Sequence, residues 1–142
     1  MARAVFASIV ATLVASALIY LNGIVPLFEG SDFLELVEAF NARIGLSSTE
    51  RGAWVTHILL GSFIFGLLYA LIRPILPGVG TVQGLWFGAI LWLTMMVSFL
   101  PLAGHEIFGQ DIGLVFAGAM LAFNLIYGAV LGMSYAAFGA ED

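Results

Sequence analysis

Charge is distributed along this chain in blocks separated by long apolar runs. No Asp, Glu, Lys or Arg stands between Arg3 and Glu29, Arg51 and Arg73, Arg73 and Glu106, or Asp111 and Glu141. Each run reaches the ~20 residues that cross a bilayer core at about 1.5 Å rise per residue. The pattern predicts spans near 4–27, 52–74, 81–101 and 112–137. Pro74, Pro77, Gly78 and Gly80 form a tight link between the second and third spans, which predicts that these two are antiparallel neighbours. Pro101 and Gly104 are expected to end the third span.

The segment 29–50 has a different period. Phe33, Leu36, Val37, Phe40 and Ile44 fall on one helical face, with Glu35 and Glu38 opposite. Asp32 is placed to cap the start of this helix and Gly45 to end it, near 32–44. Ser47, three residues before Glu50, is expected to cap the second span in the same manner. The helix is expected to lie at the membrane surface with its apolar face down. Its acidic face repels anionic lipid, which leaves a cover over the bundle or a docking surface for a partner through Glu35 and Glu38.

The expected fold is therefore an all-α membrane protein: four transmembrane helices in a bundle plus one short amphipathic surface helix, in a single domain over 1–142. Composition agrees, since 62% of residues are hydrophobic and only 9% charged, against roughly 25% charged in soluble domains. The absence of cysteine excludes thiolate chemistry and disulfides. Four arginines and no lysine exclude a nucleic-acid surface. Ala15-Ser16-Ala17 fits a signal-peptidase site, but the apolar run continues to Phe28, so the first run reads as a retained anchor. Arg3 and Arg73 fall on one side of the membrane, Arg43 and Arg51 on the other. The tie is broken by Arg3 preceding the first span and by the acidity of 29–50, which sets the termini in the cytoplasm.

Helices in lipid meet through small residues. Ala7, Ala11 and Ala15 stripe the first span, Gly84 and Gly88 the third, and Gly128 and Gly132 the fourth. The second carries Ala53, His57 and Gly61 on one face and Ser62, Gly66 and Ala70 nearly opposite, as if it had neighbours on both sides. One such stripe is alternatively an oligomer seam.

Polar side chains inside a membrane need partners. Asn22 and His57 lie at similar depth near the same surface, and His105, Glu106 and Asp111 belong to that surface. Asn124 lies deeper, on the small-residue face of the fourth span. Three readings follow: a hydrogen-bonded network fixing helix packing, a polar vestibule for a small ligand or proton, or haem ligation by His57 and His105. With two histidines, no zinc site forms from imidazoles. No nucleophile–base triad or nucleotide-binding loop is present, so no enzyme is expected.

Trp54-Val55-Thr56-His57-Ile58, then Gly84 and Gly88, then Ser98-Phe99-Leu100-Pro101-Leu102-Ala103-Gly104 and Glu106-Ile107-Phe108-Gly109 resemble the YagU-like family of small bacterial inner-membrane proteins, over roughly residues 52–128. The resemblance implies an inner-membrane protein without an assigned reaction. In that family's pattern a histidine follows the Glu-Ile-Phe-Gly run; Gln110 stands there in this chain, which argues against a shared metal or haem site. The leading functional expectation is a structural or accessory subunit of a larger membrane complex, without a cofactor. The alternatives are a small oligomeric transporter or channel with a vestibule around His57, and a haem-binding membrane protein. The expected partners are the bilayer and other membrane subunits or a second copy of the chain.

Overall fold

The computed structural model describes residues 1–26 and 32–139. Its helices are α1 (Ala2–Ile24), α2 (Phe33–Arg43), α3 (Glu50–Ile75), α4 (Thr81–Ala103) and α5 (Leu114–Ala137). All but α2 are long and apolar enough to cross a membrane. The expected end of the first span at residue 27, the acidic Glu29 and the terminal Glu141 and Asp142 lie outside the described residues.

Local chemistry sets the helix ends. Asp32 caps α2 by accepting the Leu34 N–H at 2.9 Å. The cap of α3 is Thr49, whose hydroxyl accepts the Gly52 N–H at 3.2 Å. Ser47, the expected cap, instead hydrogen-bonds the Thr49 hydroxyl and gives its carbonyl to Asn41. Thr49 wins because the helix begins two residues later than that box requires. Pro101 does not stop α4; the helix runs through it to Ala103 and ends at Gly104, whose φ of +98° only glycine adopts readily.

Two π-helical turns interrupt the spans, Leu60–Ile64 in α3 and Met95–Phe99 in α4. In α4 the cause is Pro101, which has no N–H and crowds the carbonyl four residues back. The ladder widens ahead of it, and the Leu100 N–H reaches the Met95 carbonyl. In α3 the carbonyls of the widened turn have partners on other helices. Tyr127 donates its hydroxyl to the Gly61 carbonyl at 2.6 Å, and Ser8 donates to the Ser62 carbonyl.

The extra residue in α3 changes which helix its small residues meet. At regular helical spacing Gly61 and Gly66 point apart; across the π turn both abut α1. A Cβ on Gly61 would lie 2.6 Å from the Thr12 hydroxyl, and one on Gly66 would strike Ser8 and come 3.1 Å from the Ala4 carbonyl. α3 is therefore not the helix between two other spans. That position belongs to α5, which packs along α4 on one side and α1 on the other, and to α1, which packs between α5 and α3. The spatial order is α4, α5, α1, α3.

The expected side-by-side packing of the second and third spans is corrected accordingly. Although the Arg73–Gly80 link holds them together at one end, where the Tyr69 and Phe87 rings meet edge to face at 5.2 Å, their backbones do not pack along their length. At the other end α2 bridges them, lying on the first turns of α3 and the last turns of α4. Leu36 and Val37 are buried beneath it and Phe40 stacks on Phe99 at 4.6 Å.

Candidate functional site

The two halves of the bundle are built from different residues. Towards the termini, Ala4, Ala7 and Ala11 of α1 pack with Tyr69, Phe87 and Leu131 in a closed core. There α4 and α5 touch through their backbones. A Cβ on Gly84 would overlap the Gly128 carbonyl, one on Gly88 the Asn124 carbonyl, and one on Gly132 the Gly80 carbonyl. Towards α2 the inward positions carry Leu60, Phe65, Met95, Phe99, Phe116 and Phe123, and the spans separate. A cavity of about 420 Å³ opens there under α2, with Phe33 and Val37 in its roof.

Most of its wall is apolar; four polar side chains reach it. His57, about two turns inside α3, sets Nε2 3.1 Å from the Ser16 hydroxyl, and Ser16 donates to the Thr12 carbonyl at 2.7 Å. With the hydroxyl proton so committed, Ser16 accepts from Nε2–H and Nδ1 carries the lone pair. The ring is held edge-on by Phe33 and Trp54, with centroids 5.6 and 5.8 Å away. Asn124, nearly buried on α5, donates its amide to the Met120 carbonyl at 2.8 Å and to the Met95 sulfur at 3.5 Å. What it offers the cavity is its carbonyl oxygen. Asn22 lines the cavity on α1, and Asp32 stands where α2 begins. Tyr127 closes the floor through its bond to Gly61.

His57, Asn22 and Asn124 thus share one cavity. The His57 ring pairs with Ser16, six residues and nearly two helical turns before Asn22. His105 and Glu106 belong to a separate cluster in the connection 104–113. His105 Nδ1 sits 2.7 Å from an Asp111 carboxylate oxygen, whose other oxygen accepts the Glu106 N–H at 2.9 Å. These two hydrogen bonds, His105 first, hold the Asp111 carboxyl below its ordinary 3.8. Each imidazole is therefore engaged within its own cluster, and among the described residues no group of three metal-ligating side chains forms. Glu35 lies exposed and Glu38 half-exposed on the outer side of α2.

One residue of the roof escaped the sequence reading. Asn41 is fully buried, donating to the Ser47 carbonyl at 2.8 Å and accepting the Thr56 hydroxyl at 2.9 Å. It pins α2 to α3. Its signal was available: it stands four residues after Val37 and eight after Phe33, a polar side chain on an otherwise apolar face.

Apolar spans, backbone-tight glycine contacts and an amphipathic roof over a mainly apolar cavity define the class: a multi-pass, four-span membrane protein with an internal cavity set towards one membrane surface. The chain belongs to a family of unknown function, DUF6789, whose model matches residues 1–142. No curated protein and no solved structure matches it.

Proposed function

We propose that this chain is a protein of the cell inner membrane, termini in the cytoplasm, that holds a membrane-derived apolar molecule in the cavity beneath α2 without transforming it. The observation that carries this reading is the cavity itself. Its 420 Å³ lies within the range of small-molecule sites, and its walls are mainly apolar with a few polar side chains. His57 Nδ1 can accept a hydrogen bond and Asn124 offers a carbonyl oxygen, while the one hydroxyl beside the imidazole, that of Ser16, gives its proton to the Thr12 carbonyl and not to His57. Holding is favoured over conducting, because a path through one chain would have to cross the half in which glycine backbones touch.

Mass spectrometry of an organic extract of the purified chain tests this. Wild type should carry a stoichiometric lipophilic compound. Ala119→Phe, which places a ring in the cavity from α5, should fold and lose that compound. A wild-type extract containing only bulk lipid in detergent-micelle proportions contradicts the proposal.

A second reading, an accessory subunit of a larger membrane complex, draws on Glu35 and Glu38, which face away from the bundle. Under it, Glu35→Lys with Glu38→Lys leaves the chain stable and removes proteins that co-purify from native membrane.

A further inference from the structure

The end of the bundle opposite the cavity gathers positive charge in an unusual way. Arg3 at the start of α1 and Arg73 at the end of α3 both lie on the ring of Tyr135 in α5, with guanidinium carbons 4.0 and 4.5 Å from its centroid. Each is fixed through Nε, Arg3 to the Tyr135 carbonyl at 2.7 Å and Arg73 to the Gln83 side-chain oxygen at 3.1 Å. Gln83, nearly buried, is held in turn by donating to the carbonyls of Arg73 and Leu76. Both guanidiniums are thereby oriented, that of Arg3 against Gly139 and that of Arg73 towards the Tyr69 hydroxyl.

Two like charges on one ring repel, the more so at the edge of a low-dielectric slab. The ring's negative face offsets part of this. No described carboxylate offsets the rest: Asp32, Glu35, Glu38, Glu50, Glu106 and Asp111 all belong to the other membrane surface. Beside the pair, the fully buried Tyr69 ring packs on Tyr135 at 5.5 Å, with its hydroxyl near Arg73. The site thus has two fixed cations at the depth where lipid head groups begin.

We propose that Arg3 and Arg73, clamped on Tyr135, bind the phosphate of one anionic phospholipid in the leaflet on the side of the termini. Planar guanidiniums match phosphate oxygens in pairs. A lipid is favoured over a soluble anion because the pair sits at the ends of spans, among exposed Leu71, Ile75 and Val79 that reach into acyl chains.

The experiment is native mass spectrometry and thermal melting of the full chain in neutral detergent, with added phosphatidylglycerol, phosphatidylcholine or inorganic phosphate. Phosphatidylglycerol should leave one retained adduct and raise Tm; the other two should do neither. Arg3→Gln with Arg73→Gln should weaken that adduct about 30-fold, with Tm in lipid-free detergent no lower than wild type, since a repulsion is removed. Equal effects of phosphatidylglycerol and phosphatidylcholine in wild type overturn the proposal without any variant. So does an equal effect of inorganic phosphate. A third result also overturns it: no response in wild type but a response in Glu141→Gln with Asp142→Asn would mean that the chain's own acidic end occupies the arginines.

Discussion

The half of the bundle near the termini and the half beneath α2 contain the same four helices and differ in what faces inward. Near the termini, glycine, alanine and serine let backbones approach, and dispersion contacts close the core. Beneath α2, Phe65, Met95, Phe99 and Phe123 face inward, and α3 and α4 each carry a π turn as they pass the cavity. Large side chains facing inward hold the helices apart there. The lesson is that an interior void in this bundle comes from the pairing of sizes across helices, and that a roof becomes necessary where the spans part. α2 supplies that roof, and a buried Asn41 fixes it.

Changes that attack the closed half should be the most damaging. Gly128→Val puts a Cβ into the Gly84 carbonyl. Overpacking against yielding side chains costs about 1–3 kcal/mol; here the neighbour is backbone, and the cost should exceed that range. The expected result is a chain that no longer purifies as a single species. In the open half the largest effect should come from Asn41→Leu, which strands the Thr56 hydroxyl and the Ser47 carbonyl at about 1–3 kcal/mol. Hydrogen exchange over 33–46 should accelerate while α4 and α5 stay protected. Equal loss of protection in both halves would mean that the roof and the closed core are one unit.

His57 comes next. Loss of its bond to Ser16 should cost about 0.6–2 kcal/mol, as interhelical bonds in membranes do. His57→Gln, which keeps a donor and an acceptor, should melt above His57→Leu. Equal melting of both at the wild-type temperature would remove the Ser16 contact from the account. The smallest effect belongs to Asp111, outside the membrane. Its folded-state pKa is depressed, so its contribution is present above the ordinary 3.8 and is lost as pH falls through the lower folded value. Exchange across 104–113 should rise in that window for wild type, and at all pH values for Asp111→Asn.

The spans were legible because a run without charge measures a bilayer thickness directly; Thr81–Ala103 and Leu114–Ala137 lie within two residues of the lengths read from the apolar runs. α2 was legible for a similar reason, through the period of Phe33, Leu36, Val37 and Phe40. The order of the helices was not. A short link between α3 and α4 constrains one end only, and small residues on α1, α3, α4 and α5 fit one another in several pairings. The π turn in α3 was hidden because it depends on hydroxyls from Ser8 and Tyr127, far away in sequence. That one inserted residue turned Gly61 and Gly66 onto the same neighbour. Depth paired His57 with Asn22, whereas the ring meets Ser16, because α3 begins at Glu50, two residues before the expected start, which sets His57 deeper. Depth places His105 and Glu106 at the same surface, but the turn after Gly104 folds them onto Asp111.

The central claim is that the bundle is open to an apolar occupant beneath α2 and closed towards the termini. A small apolar diazirine, activated by light in membranes holding the native chain and mapped by peptide mass spectrometry, tests it most directly. Outward residues of all spans will label from the bilayer. Among inward residues, the account predicts label on Ala119, Met120 and Phe123, and none on Ala7, Ala11 and Leu131. Ala119→Phe should suppress the first set. Label on both inward sets alike, or on neither in chain stripped of co-purified lipophiles, would contradict it.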